Sequence, residues 1–483
     1  MYTWLSLKSS ADLVQLEAHL PCEYDPKRIA GKLAGGISDA VKAVLIEGDY
    51  VDKDYRSTYY HFYAKKGQRY RADCIRLHFF DQTVTFDGSA LKLACPDGPE
   101  HLNDHYFGYM VLRPTGIATI GRSVLSPDIR SGAPRYIIFA EHKVHLLGYE
   151  LAVQGFPSMD QHVDIAVCAH VACWAILRHF SQRYNMYKEF LTHDITLMAH
   201  QFDPGGLIPS RGLEVSHAER VFQVAGTYPV PVPLRANDPS FYRQLGAYLE
   251  SGLPLFAAMS KHRHAVAVVG YEWRAPASTQ LKGVRYAWDQ VQALAFVDHN
   301  DLPYLRVPVN GGNHYSATDI DAFIVALPEK VHYPADAVDS LAQTLFKLAP
   351  VVALPPEDET IIRYFMSTGA DLRCFVRERE SEFDPKLVAT IMSLPFAQYI
   401  WVVEFATETQ WAVQQVAARA VIDATASFLE VMPLWLMHNR KQALVFDRRS
   451  LDPNSGSWAL QLADTGQAGF TRMHRNLRPT RTK

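Results

Sequence analysis

Two kinds of segment in the middle of the chain restrict its fold most. Residues 161–180 read QHVDIAVCAHVACWAILRHF, an apolar run that predicts one long helix from near 166 to 184. Downstream, GLPLFAAMS (252–260), HAVAVVGYEW (264–273) and ALAFVDHND (293–301) are short apolar runs bounded by Gly, Pro, Asn and Asp, the pattern of core strands. Helix first and sheet afterwards predicts an α+β region over about 151–345.

A chain of 483 residues exceeds one ordinary hydrophobic core, and its flanks read differently from its middle. Residues 1–150 combine a short helix signal with strand-like DCIRLHFF, TVTFDG, YFGYMVLRP and RYIIFAEHKVHLLG, which predicts an α+β region rich in antiparallel pairs. After the proline-rich VVALPPEDE (351–359), residues 346–483 hold a helix-like PPEDETIIRYFMSTG, strand-like QYIWVVEFAT and KQALVFDRR, and a basic tail. The expected organisation is therefore three regions, 1–150, 151–345 and 346–483, the flanks being α/β.

Charge excludes little beyond extremes. A hydrophobic content of 48%, a charged content of 20% and a formal net charge of -3 describe a globular chain, not a disordered or collagen-like one. The tyrosine-rich YVDKDYRSTYYHFYAKKGQRY (50–70) interleaves basic residues as a nucleic-acid surface does, yet its acidic residues favour a solvated helix face or a domain interface. Arg475, Arg478 and Arg481 read as a frayed terminus. Nucleic acid is therefore not an expected partner.

The start, MYTWLSLKSSADLVQLEAHL, lacks a basic segment leading into an apolar run and a cleavage site. No apolar run approaches the ~18 residues a membrane helix needs. A cytoplasmic protein without membrane association is expected. Cysteines 22, 74, 95, 168, 173 and 374 are scattered as free thiols are, without the dense spacing of a disulfide framework.

The chemistry concentrates on Cys168 and the segments downstream of it. A thiol attacks a carbonyl as thiolate, and a free cysteine near pKa 8.5 is only a few per cent ionised at neutral pH. A helix N-terminus favours the anion, a histidine carries the proton, and a polar group bonded to the other ring nitrogen orients the imidazole. An amide or backbone N–H supplies the oxyanion hole. The sequence presents these pieces in order: Gln161; Cys168 opening the helix; His264 opening a strand; and Asp298, His299, Asn300 and Asp301 closing another.

This order resembles the papain-like cysteine peptidase superfamily, and SGLPLFAAMSKHRHAVAVVGYEW is similar to the histidine segment of bacterial peptidases that process double-glycine leaders. The resemblance covers the central region only. It implies a helix bearing the nucleophile Cys168 and an antiparallel sheet bearing His264 and an orienting Asp298 or Asn300, with Gln161 at the oxyanion. Departures from the family are Ala169 after the cysteine in place of glycine, a longer step from Gln161 to Cys168, and an insertion near 274–291.

Helix geometry separates the two cysteines of the stretch. Residues five apart are rotated to about 140° from one another, so at most one of Cys168 and Cys173 lines a site. Cys173 is followed by Trp174-Ala175, as in papain, but would lie more than a turn inside the helix, where the dipole has decayed. Cys168 is therefore the expected nucleophile and Cys173 a core residue. A zinc site from Cys168, His170, Cys173 and His179 is not expected, because Cys168 and His170 point about 200° apart.

For the histidine, His262 is the alternative to His264. Strand alternation puts Asp298 and Asn300 on one side, with His299 and Asp301 opposite, and leaves the choice between Asp298 and Asn300 open. The expected function is peptide-bond hydrolysis of a protein or peptide substrate, without cofactor or metal. The large flanks suggest a regulated effector protease and a regulatory protein partner. The alternatives are a thiol amidase, deamidase or isopeptidase, or an inactive papain-like scaffold.

Overall fold

A computed structural model of the chain describes residues 1–161, 168–200, 213–236, 238–273, 284–312, 314–346, 351–446, 448, 456–463, 469–474 and 476. The fold is mixed α and β. No described helix is long and apolar enough to cross a membrane.

The chain divides into two compact units. One comprises Met1–Val232, Pro254–Glu272 and Ala293–Ala326; the other comprises Pro233–Leu253, Trp273–Gln292 and Leu327–Lys483. The expected boundaries at 150 and 345 do not fall between these units. The reason is pairing that ignores chain order. Tyr136–Ile137 adds to the strand His264–Trp273, and the Tyr304 hydroxyl accepts the Phe156 N–H (2.7 Å) while donating to the Leu125 carbonyl (2.6 Å). In the other unit, Arg285–Tyr286 pairs in parallel with Ile361–Ile362.

Among the described residues the first unit holds two large sheets and a short hairpin, Thr85–Asp87 with Lys92–Ala94. One, entirely antiparallel, runs in the order Tyr2–Ser6, Ala43–Tyr50, Cys74–Phe80, Tyr106–Leu112, Ile120–Leu125, Tyr149–Ser158, Ala140–Leu146. Strand alternation splits its apolar residues between two faces. Val44, Ile46, Leu77 and Phe79 join Ile29 and Leu33 of the helix Pro26–Gly36, whereas Ala43, Leu45 and Phe80 join Tyr55.

The other sheet runs Tyr228–Pro233, Ala322–Leu327, Leu255–Met259, His264–Trp273, Val291–Val297, Leu305–Pro308. The three apolar runs noted in the sequence supply three of these strands. Met259 pairs with His264 across a short loop that Arg263 closes in the left-handed region (φ 47°), which sets His264 as the first residue of its strand.

The predicted helix spans Cys168–Arg183 and packs against the strands Tyr149–Ser158 and Leu255–Met259 and the helices Thr192–His200 and Val215–Val224. It is buried on nearly every side, and two of its polar side chains are tied to one carboxylate. Trp174 donates its indole N–H to Asp54 (3.1 Å), and Arg178 reaches both oxygens of the same carboxylate (2.9 and 3.1 Å).

The second unit has a sheet in the order Arg285–Tyr286, Thr360–Thr368, Tyr399–Thr407, Ala418–Asp423, Leu434–His438, Gln442–Phe446, Ser457–Gln461. The helices Gly369–Glu378 and Pro385–Ser393 cover it with Leu372, Phe375, Leu387 and Ile391.

Candidate active site

Cys168 is the first described residue of the helix Cys168–Arg183, and the dipole of a helix favours an anion near its N-terminal end. Its thiol hydrogen-bonds the His264 imidazole and the backbone N–H groups of Ala169 and Ala265. The other side of the imidazole is fixed by Asp298, whose Oδ1 lies 3.0 Å from His264 Nε2. With Nε2 so engaged, Nδ1 is the nitrogen left for the thiol. Three residues from two strands' ends and one helix start thus form a continuous hydrogen-bonded chain.

The electrostatics follow from that chain. Burial opposes charge on the Cys168 thiol, yet the His264 hydrogen bond and charge outweigh it and hold the thiol below its ordinary pKa. Burial likewise opposes a charged His264, but its hydrogen bonds to Asp298 and Cys168 raise it to about 9. Asp298 is buried, and the same His264 contact keeps its carboxyl below the usual range. At neutral pH these directions favour a thiolate beside an imidazolium.

The neighbouring candidates have other engagements. Asn300 is exposed and gives its backbone N–H to Asp298 Oδ1 (3.0 Å). The strand ends at Val297, so a turn replaces the alternation that would have kept residues 298 and 300 equivalent. The Asp301 N–H closes that turn on the Asp298 carbonyl (3.2 Å), and its carboxylate faces Arg130 (3.4 Å). His262 bonds Asp319 through Nε2 (3.0 Å). Cys173 is fully buried, and burial pushes its thiol pKa up. His179 is buried against Phe156, with ring centroids 4.9 Å apart.

Gln161 is held through its backbone. Its carbonyl accepts Arg113 (3.5 Å), and the preceding Asp160 is clamped by Lys32 (2.9 Å) and Arg28 (3.5 Å) of the helix Pro26–Gly36. Among the described residues no hydrogen bond joins the Gln161 side chain to Cys168; the intervening 162–167 lie outside them.

Tyr315 carried no signal in the sequence, and strand alternation put His299 on the side opposite Asp298. Tyr315 lies over the His264 ring (centroids 5.8 Å apart, planes 20° apart) and hydrogen-bonds Asp298 and Asn300. Burial, then the charge of Asp298, pushes its phenol up to about 12. Gly312 permits this placement, because a Cβ there would meet the Tyr315 carbonyl oxygen at 1.8 Å. His299 stands edge-on to His264, with centroids 4.8 Å apart. Among the described residues, His264, Asp298 and His299 form the one group of three or more metal-ligand types with converging atoms.

Chemically, the arrangement joins an activated nucleophile, a proton carrier that can both give and take a proton, and a buried carboxylate that fixes the carrier's orientation. No family model, curated protein or solved structure matches this chain.

Proposed function

We propose that this chain is a papain-like cysteine peptidase that cleaves peptide bonds of a protein substrate. The observation that carries the reading is the hydrogen-bonded series Cys168–His264–Asp298, with the cysteine at a helix start and the histidine opening a strand. In this reaction the Cys168 thiolate attacks the scissile carbonyl carbon, and the carbonyl π pair moves to the oxygen. Backbone N–H groups at the helix start, with Gln161, hold that oxyanion. Collapse expels the amine, which takes its proton from His264.

A water molecule then attacks the Cys168 thioester, giving its proton to His264, and collapse breaks the C–S bond, returning the Cys168 thiolate and releasing the carboxylic acid product. Asp298 keeps Nε2–H directed at itself throughout, so that Nδ1 is the nitrogen that exchanges the proton. Six free thiols suit a reducing compartment, in keeping with action in the cytoplasm.

The test is cleavage of a denatured-protein digest by the full chain, read by mass spectrometry as newly formed N-termini. Cys168→Ala is expected to lower cleavage by on the order of 1,000-fold or more while leaving thermal unfolding nearly unchanged. Equal cleavage by this variant would sink the reading. Release of ammonia without new termini would instead point to side-chain amide chemistry.

A further inference from the structure

We propose that His264, Asp298 and His299 form a binding site for a zinc-class divalent cation, and that the bound cation arrests turnover at the neighbouring thiol. Ligand geometry alone carries the site. The arrest of turnover rests in addition on the peptidase reading.

One ligand atom from each residue lies within 4.8 Å of the other two. Asp298 Oδ1 is 3.0 Å from His264 Nε2 and 3.6 Å from His299 Nδ1. Tetrahedral zinc with N and O ligands at about 2.0–2.2 Å sets its ligand atoms roughly 3.3–3.6 Å apart. The two pairs measured from Asp298 already bracket that spacing. Two imidazoles and a carboxylate, with a fourth position left for water, form the donor set of an open zinc site.

The surroundings hold the donors in place. Asp298 and His299 are 3% and 7% exposed. The Asn300 N–H and the Tyr315 hydroxyl bond the Asp298 side chain, an outer shell of the kind that orients a ligating carboxylate. The closest polar approach described for His299 is the 3.6 Å one to Asp298, longer than a hydrogen bond.

Binding exchanges one bond for another. The metal takes the Nε2 lone pair of His264, and the proton that stood between Nε2 and Asp298 leaves to solvent. His264 then keeps Nδ1–H as a donor to the thiolate, so the thiolate survives. The metal-bound ring no longer exchanges that proton, so the amine leaving group is not protonated and water is not deprotonated. Metal on the thiol itself, the other route by which zinc stops a cysteine enzyme, would instead block alkylation.

The experiment measures Zn2+ binding by equilibrium dialysis, and the visible spectrum of bound Co2+, for wild type, Cys168→Ala, His299→Phe and His299→Gln. Wild type and Cys168→Ala are expected to bind one cation, with tetrahedral Co2+ bands and no thiolate charge-transfer band. Both His299 variants, checked for unchanged thermal unfolding, are expected to bind more weakly by more than the roughly 10- to 100-fold that loss of an outer-shell partner costs.

Alkylation of Cys168 in the presence of zinc is expected to persist while peptide turnover stops. Absence of binding, binding unchanged in both His299 variants, or binding lost in Cys168→Ala overturns the site. Turnover that continues in saturating zinc overturns the arrest. Zinc binding as described in a chain that cleaves no peptide leaves the site standing and removes the peptidase reading.

Discussion

A His264→Ala variant is expected to cleave peptides at least about 1,000-fold more slowly than wild type, a loss near that of removing the nucleophile itself, because the pair acts as one unit. The pH dependence of the wild type follows from the directions of the two shifts. The thiol is held below its ordinary pKa, so kcat/KM rises as pH climbs through that lowered value. The imidazolium must protonate the departing amine, so the rate falls again as His264 loses its proton at about 9.

Asp298→Ala removes the hydrogen bond that is the leading cause raising His264 against burial. Its alkaline limb is expected to move to lower pH. Steady-state kinetics of the three proteins on one peptide check all of this. An alkaline limb unmoved in Asp298→Ala contradicts the assignment of Asp298.

Glu404→Gln is expected to destabilise the second unit by about 3–5 kcal/mol, the cost of removing one partner from a buried ion pair. Glu404 is 1% exposed and accepts from Arg363 (3.0 Å), from Arg419 (2.7 and 3.2 Å) and from the Met473 N–H (2.8 Å). Arg419 is fully buried, and Arg363 also pairs with Glu250. The amide keeps the volume but leaves two guanidiniums sharing too little negative charge.

Burial alone would raise the Glu404 carboxyl; Arg419 and Arg363 overcome it and hold it low. A lowered folded-state pKa means that its contribution is complete above the ordinary glutamate value near ~4.3 and is lost as pH falls through the lower folded value. Urea unfolding at neutral pH and at pH 4 measures both effects. The difference between wild type and variant should shrink at the lower pH.

The parts of the fold legible in the sequence are those set by local pattern. The helix Cys168–Arg183 and the strands Leu255–Met259, His264–Trp273 and Val291–Val297 all announce themselves as apolar runs ended by turn residues. The rotation between Cys168 and Cys173 separates an accessible helix start from a buried core position without coordinates.

What pattern could not supply is set by long-range pairing. The choice of Asp298 over Asn300 depends on the strand ending at Val297, one residue before alternation would have mattered. Tyr315 reaches His264 through a loop whose path depends on the missing Cβ of Gly312. The division into two units, with 233–253 and 273–292 leaving the middle of the chain, reflects partners far away in sequence. The Arg363–Glu404–Arg419 network likewise draws on three separate strands.

The central claim is that Cys168 is a thiolate made by His264. Its most direct test is competitive alkylation of all six cysteines with limiting iodoacetamide at pH 6, mapped by peptide mass spectrometry. At that pH an ordinary thiol is only roughly 0.3% ionised. Cys22 and Cys374 are exposed and Cys168 is half-buried, so exposure alone would favour the first two. The lowered pKa of Cys168 predicts that it labels first, by about 10-fold or more after allowing for the weaker nucleophilicity of a low-pKa thiolate, and that His264→Ala removes the advantage. Labelling of Cys22 or Cys374 ahead of Cys168 in the wild type would contradict it.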